Sequence, residues 1–453
     1  MIEFGYGERI SQLKKLVGTG KILLLGNTYS GRNYEDNVYP YRQDSTFLYF
    51  TGIKRSGLHL VIDIDKDTTT LYGDDATTDS IVWTGPRQKL AVIAEAAGID
   101  QVRSMDQLSR AIDAETLYLP PYRAQHTITL RALTGQEDLQ ASLSLIKAVI
   151  QLRSYKSEAE VAEMEKAVRL SNKIHSTLIR TARNGHFEYE LLAQATQLAI
   201  TNNTTWAYNP ILTKNGQTLH NHDHHHQLAD GDLVLVDAGI ELPSGYCADL
   251  TRTFPVSRRF NSIQKDIYNI VHTAYLTAVV HTRPGVTNKE IHLKTAEAIV
   301  DGMKEIGWMK GDTGAAVAAG AHTLFFPHGL GHMIGMDVHD MENLGEIHVG
   351  YSQPEDRSTD FGLQYLRLGK KLEAGFCLTI EPGVYLIPEL IDKFASEGLH
   401  KDFLNYDKIN QHRDFGGIRL EDDFLVTEDG CRRLGGDIGL PTSAEGIEAL
   451  RPA

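Results

Sequence analysis

Acidic residues recur at the ends of apolar, strand-like runs in the second half of this chain, and that recurrence constrains the fold more than any other feature. Leu233-Val234-Leu235-Val236 closes on Asp237, Phe376-Cys377-Leu378-Thr379-Ile380 runs into Glu381, Ile418-Arg419-Leu420 leads to Glu421, and Asp249 stands just after the turn through Pro243, Ser244 and Gly245. His332 lies among them in Pro327-His328-Gly329-Leu330-Gly331-His332. Four carboxylates brought into one cavity repel and take up protons unless cations neutralise them. Two divalent ions balance four carboxylates. Oxygen ligands with one imidazole suit manganese as first choice, with cobalt, iron or zinc as alternatives, rather than a thiolate metal site. The pattern reads as a two-metal hydrolase centre.

Each of these residues has a plainer reading when taken alone. A lone strand-end Asp is usually a turn or cap residue, and a lone Glu at a strand terminus is usually solvated. Together they say more. Asp237 and Asp249 are close enough in sequence for two adjacent antiparallel strands to present both to one cavity. Alternation puts Arg419 and Glu421 on one strand face and Ile418 and Leu420 on the other. A charged pair turned inward needs partners or a metal. His328, His332 and His339 lie in a glycine-rich stretch where backbone can pass close to a ligand, whereas His222, His224, His225 and His226 read as a polar loop without a role.

The chain has 453 residues, which is long for one core, so two domains are expected. A net charge of −14 argues against nucleic acid as a partner. Three cysteines without CxxC spacing fit a reducing compartment. Without an apolar run long enough for a membrane span or a signal-like start, the expectation is a cytoplasmic enzyme with no membrane partner.

Ile22–Leu25 reads as a buried strand, Phe47–Phe50 as another, and Leu60–Ile64 with Thr68–Tyr72 as a hairpin-like pair. Arg87–Ala97 reads as a helix stopped by Gly98. Ser157-Glu158-Ala159-Glu160 has the form of a capping box opening a long helix, with a second helix at Glu188–Thr201. The expected architecture is α+β, with an α/β domain at 1–155 and a catalytic domain at 156–453.

The five motifs, in this order, resemble the pita-bread metallopeptidases, the group of methionine aminopeptidases, Xaa-Pro aminopeptidases and prolidases. Tyr41-Arg42-Gln43-Asp44-Ser45-Thr46-Phe47-Leu48-Tyr49-Phe50-Thr51-Gly52 resembles the amino-terminal domain of the proline-specific members. The resemblance implies that Asp237 chelates one metal, that Asp249 and Glu421 bridge two, and that His332 and Glu381 complete the second. It further implies Glu381 as general base, His339 at the developing oxyanion, His220 and Arg419 positioning substrate, and His328 behind them or near the leaving nitrogen. A homodimer, with the amino-terminal domain helping to cover the site, belongs to the same expectation.

Within the family, Leu366-Arg367-Leu368-Gly369-Lys370 resembles the prolidase stretch whose arginine holds the substrate's free carboxylate, which places Arg367 in that role. The long connection from Glu381 to Glu421 also resembles the Xaa-Pro dipeptidases. The stretch is less basic than the prolidase pattern, and the insert from Met341 to Phe361 departs from it. The expected activity is therefore cleavage of Xaa-Pro dipeptides. The alternative is an Xaa-Pro aminopeptidase acting on longer peptides with proline second. A pita-bread protein that only binds is the remote alternative, and organophosphate hydrolysis is a side activity the resemblance leaves open. Trp206 and Tyr208 are candidates for lining the substrate pocket.

Overall fold

The computed structural model describes residues 4–436 and 439–451. The chain divides into two compact units, 1–153 with 341–348, and 154–340 with 349–453. Residues 341–348 lie inside the second domain as the sequence divides it, yet they group with the first unit. Among the described residues no helix is long and apolar enough to cross a membrane.

The first unit is built on a five-stranded sheet. Lys21–Leu25 pairs antiparallel with His59–Asp63 and parallel with Leu117–Tyr118, and the expected hairpin partner Thr68–Tyr72 lies beyond His59–Asp63. Leu23, Leu25, Val61, Tyr72 and Tyr118 pack into one core cluster with Leu108, Ile112 and Leu130. Two local expectations are corrected. Phe47–Phe50 is not a strand but the middle of the helix Ser45–Thr51. The Asp44 side chain accepts the Phe47 N–H at 2.8 Å, and Gly52 ends the helix in the left-handed region at φ 66°. Because every residue of that helix is buried, periodicity cannot separate it from a buried strand. The helix expected at Arg87–Ala97 spans Leu90–Ala96, shorter at both ends. Its Leu90 N–H is taken by Asp75, a residue distant in sequence.

In the second unit the capping box forms as expected. Ser157 accepts from Glu160 N–H while the Glu160 carboxylate accepts from Ser157 N–H, opening the helix Glu158–Thr181. Glu188–Thr201 is the next helix. Three small antiparallel sheets carry the strand-end acids. Leu233–Asp237 lies between Ile211–Thr213 and Thr251–Pro255, with Thr251 opposite Asp237. Cys377–Ile380 pairs with Asp422–Val426, Ile380 opposite Asp422, and Gly383–Leu386 pairs with Gly416–Arg419, Gly383 opposite Arg419. A bridge between Thr251 and Glu421 stitches two of these sheets together. These registers put Asp237, Glu381 and Glu421 at neighbouring strand ends.

Candidate metal centre

Asp249, His332 and Glu421 offer ligand atoms that all lie within 4.8 Å of one another, and all three residues are buried. His332 Nε2 stands 3.4 Å from Asp249 Oδ2 and 3.7 Å from Glu381 Oε1. Its Nδ1 faces the Met333 carbonyl at 3.1 Å, an acceptor, which assigns the proton to Nδ1 and leaves the Nε2 lone pair toward the acids. A lone pair beside two carboxylates is a repulsive arrangement without a proton or a cation between them. The donor set fits a divalent ion.

The backbone around His332 depends on glycine. A Cβ on Gly331 would sit 2.0 Å from the Thr379 carbonyl oxygen, and one on Gly239 would sit 1.7 Å from that of Ala248. The close approach is thus to neighbouring backbone. It lets Thr379 N–H donate to the His332 carbonyl at 3.0 Å, and lets the Thr379 hydroxyl accept the His332 N–H at 3.1 Å.

Asp237 is held from two sides. Arg419 Nη2 donates to its Oδ2 at 2.5 Å, and the Tyr208 hydroxyl lies 2.7 Å from its Oδ1 and 2.5 Å from Asp249 Oδ1. Arg419 and Glu421 do share a face, yet the guanidinium bonds Asp237, while the Glu421 carboxylate accepts from Thr251 at 2.6 Å. Arg419 Nη1 donates to the Tyr385 hydroxyl at 2.8 Å, and that hydroxyl lies 2.9 Å from His328 Nε2. His328 Nδ1 faces the Gly329 carbonyl at 2.8 Å, so its proton sits there and Nε2 accepts from Tyr385. A continuous chain runs from Asp237 through Arg419 and Tyr385 to His328.

The electrostatics follow from burying acids together. Burial, reinforced by Asp249, pushes the Glu421 carboxyl well above its ordinary range. Burial raises Glu381 to about 7 against the pull of His332 and Arg419. Asp237 is also raised, chiefly by burial, despite Arg419. Burial would raise Asp249 too, but with no metal present a protonated His332, together with the Tyr208 hydroxyl, takes it below the usual carboxylate range. With three of four acids driven toward protonation, the cavity calls for positive charge. Burial and the Arg419 charge lower His328 to about 3, keeping it neutral.

The remaining sequence candidates lie around this cluster. The His339 ring stacks on His332 with centroids 4.0 Å apart. His220 is exposed, and partial burial, then the charges of Arg419 and Arg367, pull its imidazole down. Arg367 is half-buried and stands near enough to His220 for its charge to be felt. Trp206 stands apart, its indole directed to Thr196. Tyr385, Thr251 and Thr379 were missed by sequence reasoning. Tyr385 carried a signal: a polar-tipped aromatic in the short apolar strand Gly383–Leu386, facing the inward Arg419 strand.

The comparisons with known proteins point to a metallopeptidase. Residues 162–428 match the family model described as metallopeptidase family M24, and residues 6–119 match the aminopeptidase P amino-terminal domain. A probable Xaa-Pro aminopeptidase from Botryotinia fuckeliana is 32% identical over 88% of this chain and 85% of its own. The Xaa-Pro aminopeptidase of Escherichia coli is 31% identical over 92% of this chain and 90% of its own. The structure of zinc-substituted E. coli aminopeptidase P in complex with product aligns at a TM-score of 0.79 and 27% identity over 98% of both chains. Its two-domain architecture, with a pita-bread metallopeptidase domain after the amino-terminal one, is the architecture here. The chain belongs to metallopeptidase family M24.

Proposed function

We propose that this protein is an Xaa-Pro aminopeptidase that removes the amino-terminal residue from peptides with proline in second position. The observation that carries the reading is the convergence of Asp249, His332 and Glu421 in a chain similar, over nearly its whole length, to enzymes of that name. This reverses the order of the two activities expected from sequence. Arg367 and the Glu381-to-Glu421 spacing favoured the dipeptidase, but they concern one arginine and one connection, whereas the aminopeptidase likeness spans both domains.

Asp237, Asp249, His332, Glu381 and Glu421 would hold two divalent ions, with manganese as first choice. Such ions supply Lewis acidity, lowering the pKa of water into the neutral range and polarising the scissile carbonyl. Glu381 takes the attacking water's proton as general base. His339 faces the developing oxyanion. Arg419 fixes the Asp237 carboxylate and, through Tyr385, the neutral His328, which donates toward substrate only if its hydrogen bonds rearrange. An Xaa-Pro bond is a tertiary amide without an N–H, so recognition rests on shape and on the residues that flank proline. His220 and Arg367 form that flank. The working unit is a homodimer in this reading.

Hydrolysis of Ala-Pro-Ala and Ala-Pro by the manganese-loaded protein tests the proposal. Turnover of the tripeptide with little of the dipeptide is expected, and turnover of the dipeptide alone would restore the prolidase reading. In the latter case Arg367→Ala would depress dipeptide turnover selectively, because the residue would be the clamp on the free carboxylate.

A further inference from the structure

Four arginines line one cavity at the end of the helix Glu158–Thr181, on the second unit. Arg180, Arg183, Arg258 and Arg451, with His186 and Gln194, surround a volume of about 330 Å³, and no acidic residue lines it. Arg180, Arg183 and Arg258 are exposed. Among the described residues none of the four arginines forms an ion pair. In a chain of net charge −14, such a gathering of positive charge without countercharge is costly unless something negative visits it.

Part of the cluster has a structural duty. Arg451 donates to the Ile179 carbonyl at 2.6 Å and to the Val256 carbonyl, so it braces the last turn of the helix against a neighbouring segment. Arg180, in that last turn, complements the helix dipole. Neither duty accounts for Arg183, in the loop after the helix, or for Arg258, which arrives from the far side beyond Thr251–Pro255. Two polar atoms facing the region also lack a partner among the described residues: Nε of Arg451, a residue only 8% exposed, and Nδ1 of His186. Burial pulls the Arg451 guanidinium below its usual range. Buried donors without acceptors mark a place where an acceptor is expected.

We propose that this cavity is a binding site for a small tetrahedral oxyanion, the phosphate or sulfate group of a low-molecular-weight ligand, gripped by Arg183 and Arg258. Guanidinium forks match tetrahedral oxyanions with paired, charge-assisted hydrogen bonds. A pocket of about 330 Å³ favours a compact group over a polynucleotide, whose backbone needs an extended basic track and meets here a protein of like net charge. The site is separate from the metal centre, though the same helix serves both. His175, six residues before Thr181, holds the Ala238 carbonyl at 2.9 Å beside Asp237.

The test compares the full-length, manganese-loaded protein with Arg183→Gln, Arg258→Gln and the double variant. Both side chains are exposed, and Arg451 is left in place to hold the helix. Thermal unfolding midpoints are read against sulfate, with chloride at matched ionic strength, because sulfate does not strip the metal. A specific site raises the midpoint with a saturable concentration dependence, and each single variant shifts that dependence to about tenfold higher sulfate. Peptidase activity without sulfate stays at the wild-type level in both variants, which also certifies their fold. Sulfate responses that coincide in wild type and double variant would overturn the proposal, since they would reflect general salting effects. Binding of a single-stranded oligonucleotide in preference to sulfate would overturn it as well.

Discussion

His332 Nε2 points at Asp249 Oδ2 across 3.4 Å while its Nδ1 is committed to the Met333 carbonyl, so the lone pair needed by a metal is aimed by the backbone before any metal arrives. Replacing His332 by Ala removes one donor and leaves four carboxylates facing one another. We expect metal content, measured by plasma emission on dialysed protein, to fall, and activity at fixed manganese to drop by at least about 100-fold, since partners one step removed from a metal already cost 10–100-fold. Wild-type metal content in that variant would remove His332 from the ligand set.

Tyr385 joins Arg419 to His328 through a single hydroxyl. Tyr385→Phe keeps the ring and strands two buried polar atoms, Arg419 Nη1 and His328 Nε2, each normally costing about 1–3 kcal/mol when left unpaired. The expected result is a fall in kcat of roughly tenfold or more with KM changed less, because the hydroxyl orients catalytic groups rather than binding peptide. Steady-state kinetics on Ala-Pro-Ala would show it, and an unchanged kcat would mean that the chain of hydrogen bonds is not needed for turnover.

Removing metal should cost more stability at high pH than at low pH. In the metal-free protein Glu381 has a pKa of about 7, raised by burial from an ordinary value near 4.5. The folded state then binds more protons than the unfolded state between those two values. The contribution of Glu381 to stability is therefore present near pH 5 and lost as pH rises through 7. Asp237 and Glu421, raised for the same reason, add to the trend. Buried neutral histidines, lowered by burial to about 3 at His328 and about 4 at His59, His175 and His322, act in the opposite sense, so the acids are read from the difference that metal makes: manganese should raise the melting temperature of chelated protein more at pH 8 than at pH 5. An equal or larger rise at pH 5 would contradict this.

Much of the centre was legible because its chemistry is local: an apolar run ending in an acid marks a strand end, and three such ends, with Asp249 after a turn, demand a shared countercharge. Less legible was what holds the acids. The Arg419 partner is Asp237, not the Glu421 two residues along, since sheet register across Gly383–Leu386 and Gly416–Arg419 decides which groups meet. Tyr208 stood out only as an aromatic and proved to bridge Asp237 and Asp249. The choice between dipeptide and longer substrate rested on Arg367, whose type and spacing cannot say what the residue grips.

The helix at Ser45–Thr51 makes a separate prediction about local structure overriding composition. Phe47-Leu48-Tyr49-Phe50 has strand-like residues, and what selects the helix is Asp44 at its start and Gly52 at its end. Asp44→Ala should destabilise the amino-terminal unit by about 1 kcal/mol, within the 0.5–2 kcal/mol typical of lost caps. Chemical denaturation monitored by helical circular dichroism would measure the loss.

Lys156 and Asp340 form an ion pair at 2.8 Å with each side chain 1% exposed. Asp340 also accepts from Asp337 N–H at 3.3 Å, and its own N–H donates to the Met333 carbonyl at 2.9 Å. The pair thus closes the turn that begins at His332 and carries His339 next to Asp340. Gly335 is required beneath it, because a Cβ there would lie 2.4 Å from Asp340 Oδ2. Lys156→Met leaves the Asp340 carboxylate buried without its cation, a change that typically costs about 3–5 kcal/mol. Removing both charges, as in Lys156→Met with Asp340→Leu, should recover much of that stability, since the net worth of a buried pair is small once desolvation is counted. The turn would still lose the carboxylate that receives Asp337 N–H. The double variant should therefore fold near wild-type stability while kcat stays depressed, because His339 is no longer held against the His332 ring. Denaturation and steady-state kinetics on the single and double variants separate the two effects, and full recovery of kcat alongside stability would show that the pair positions nothing.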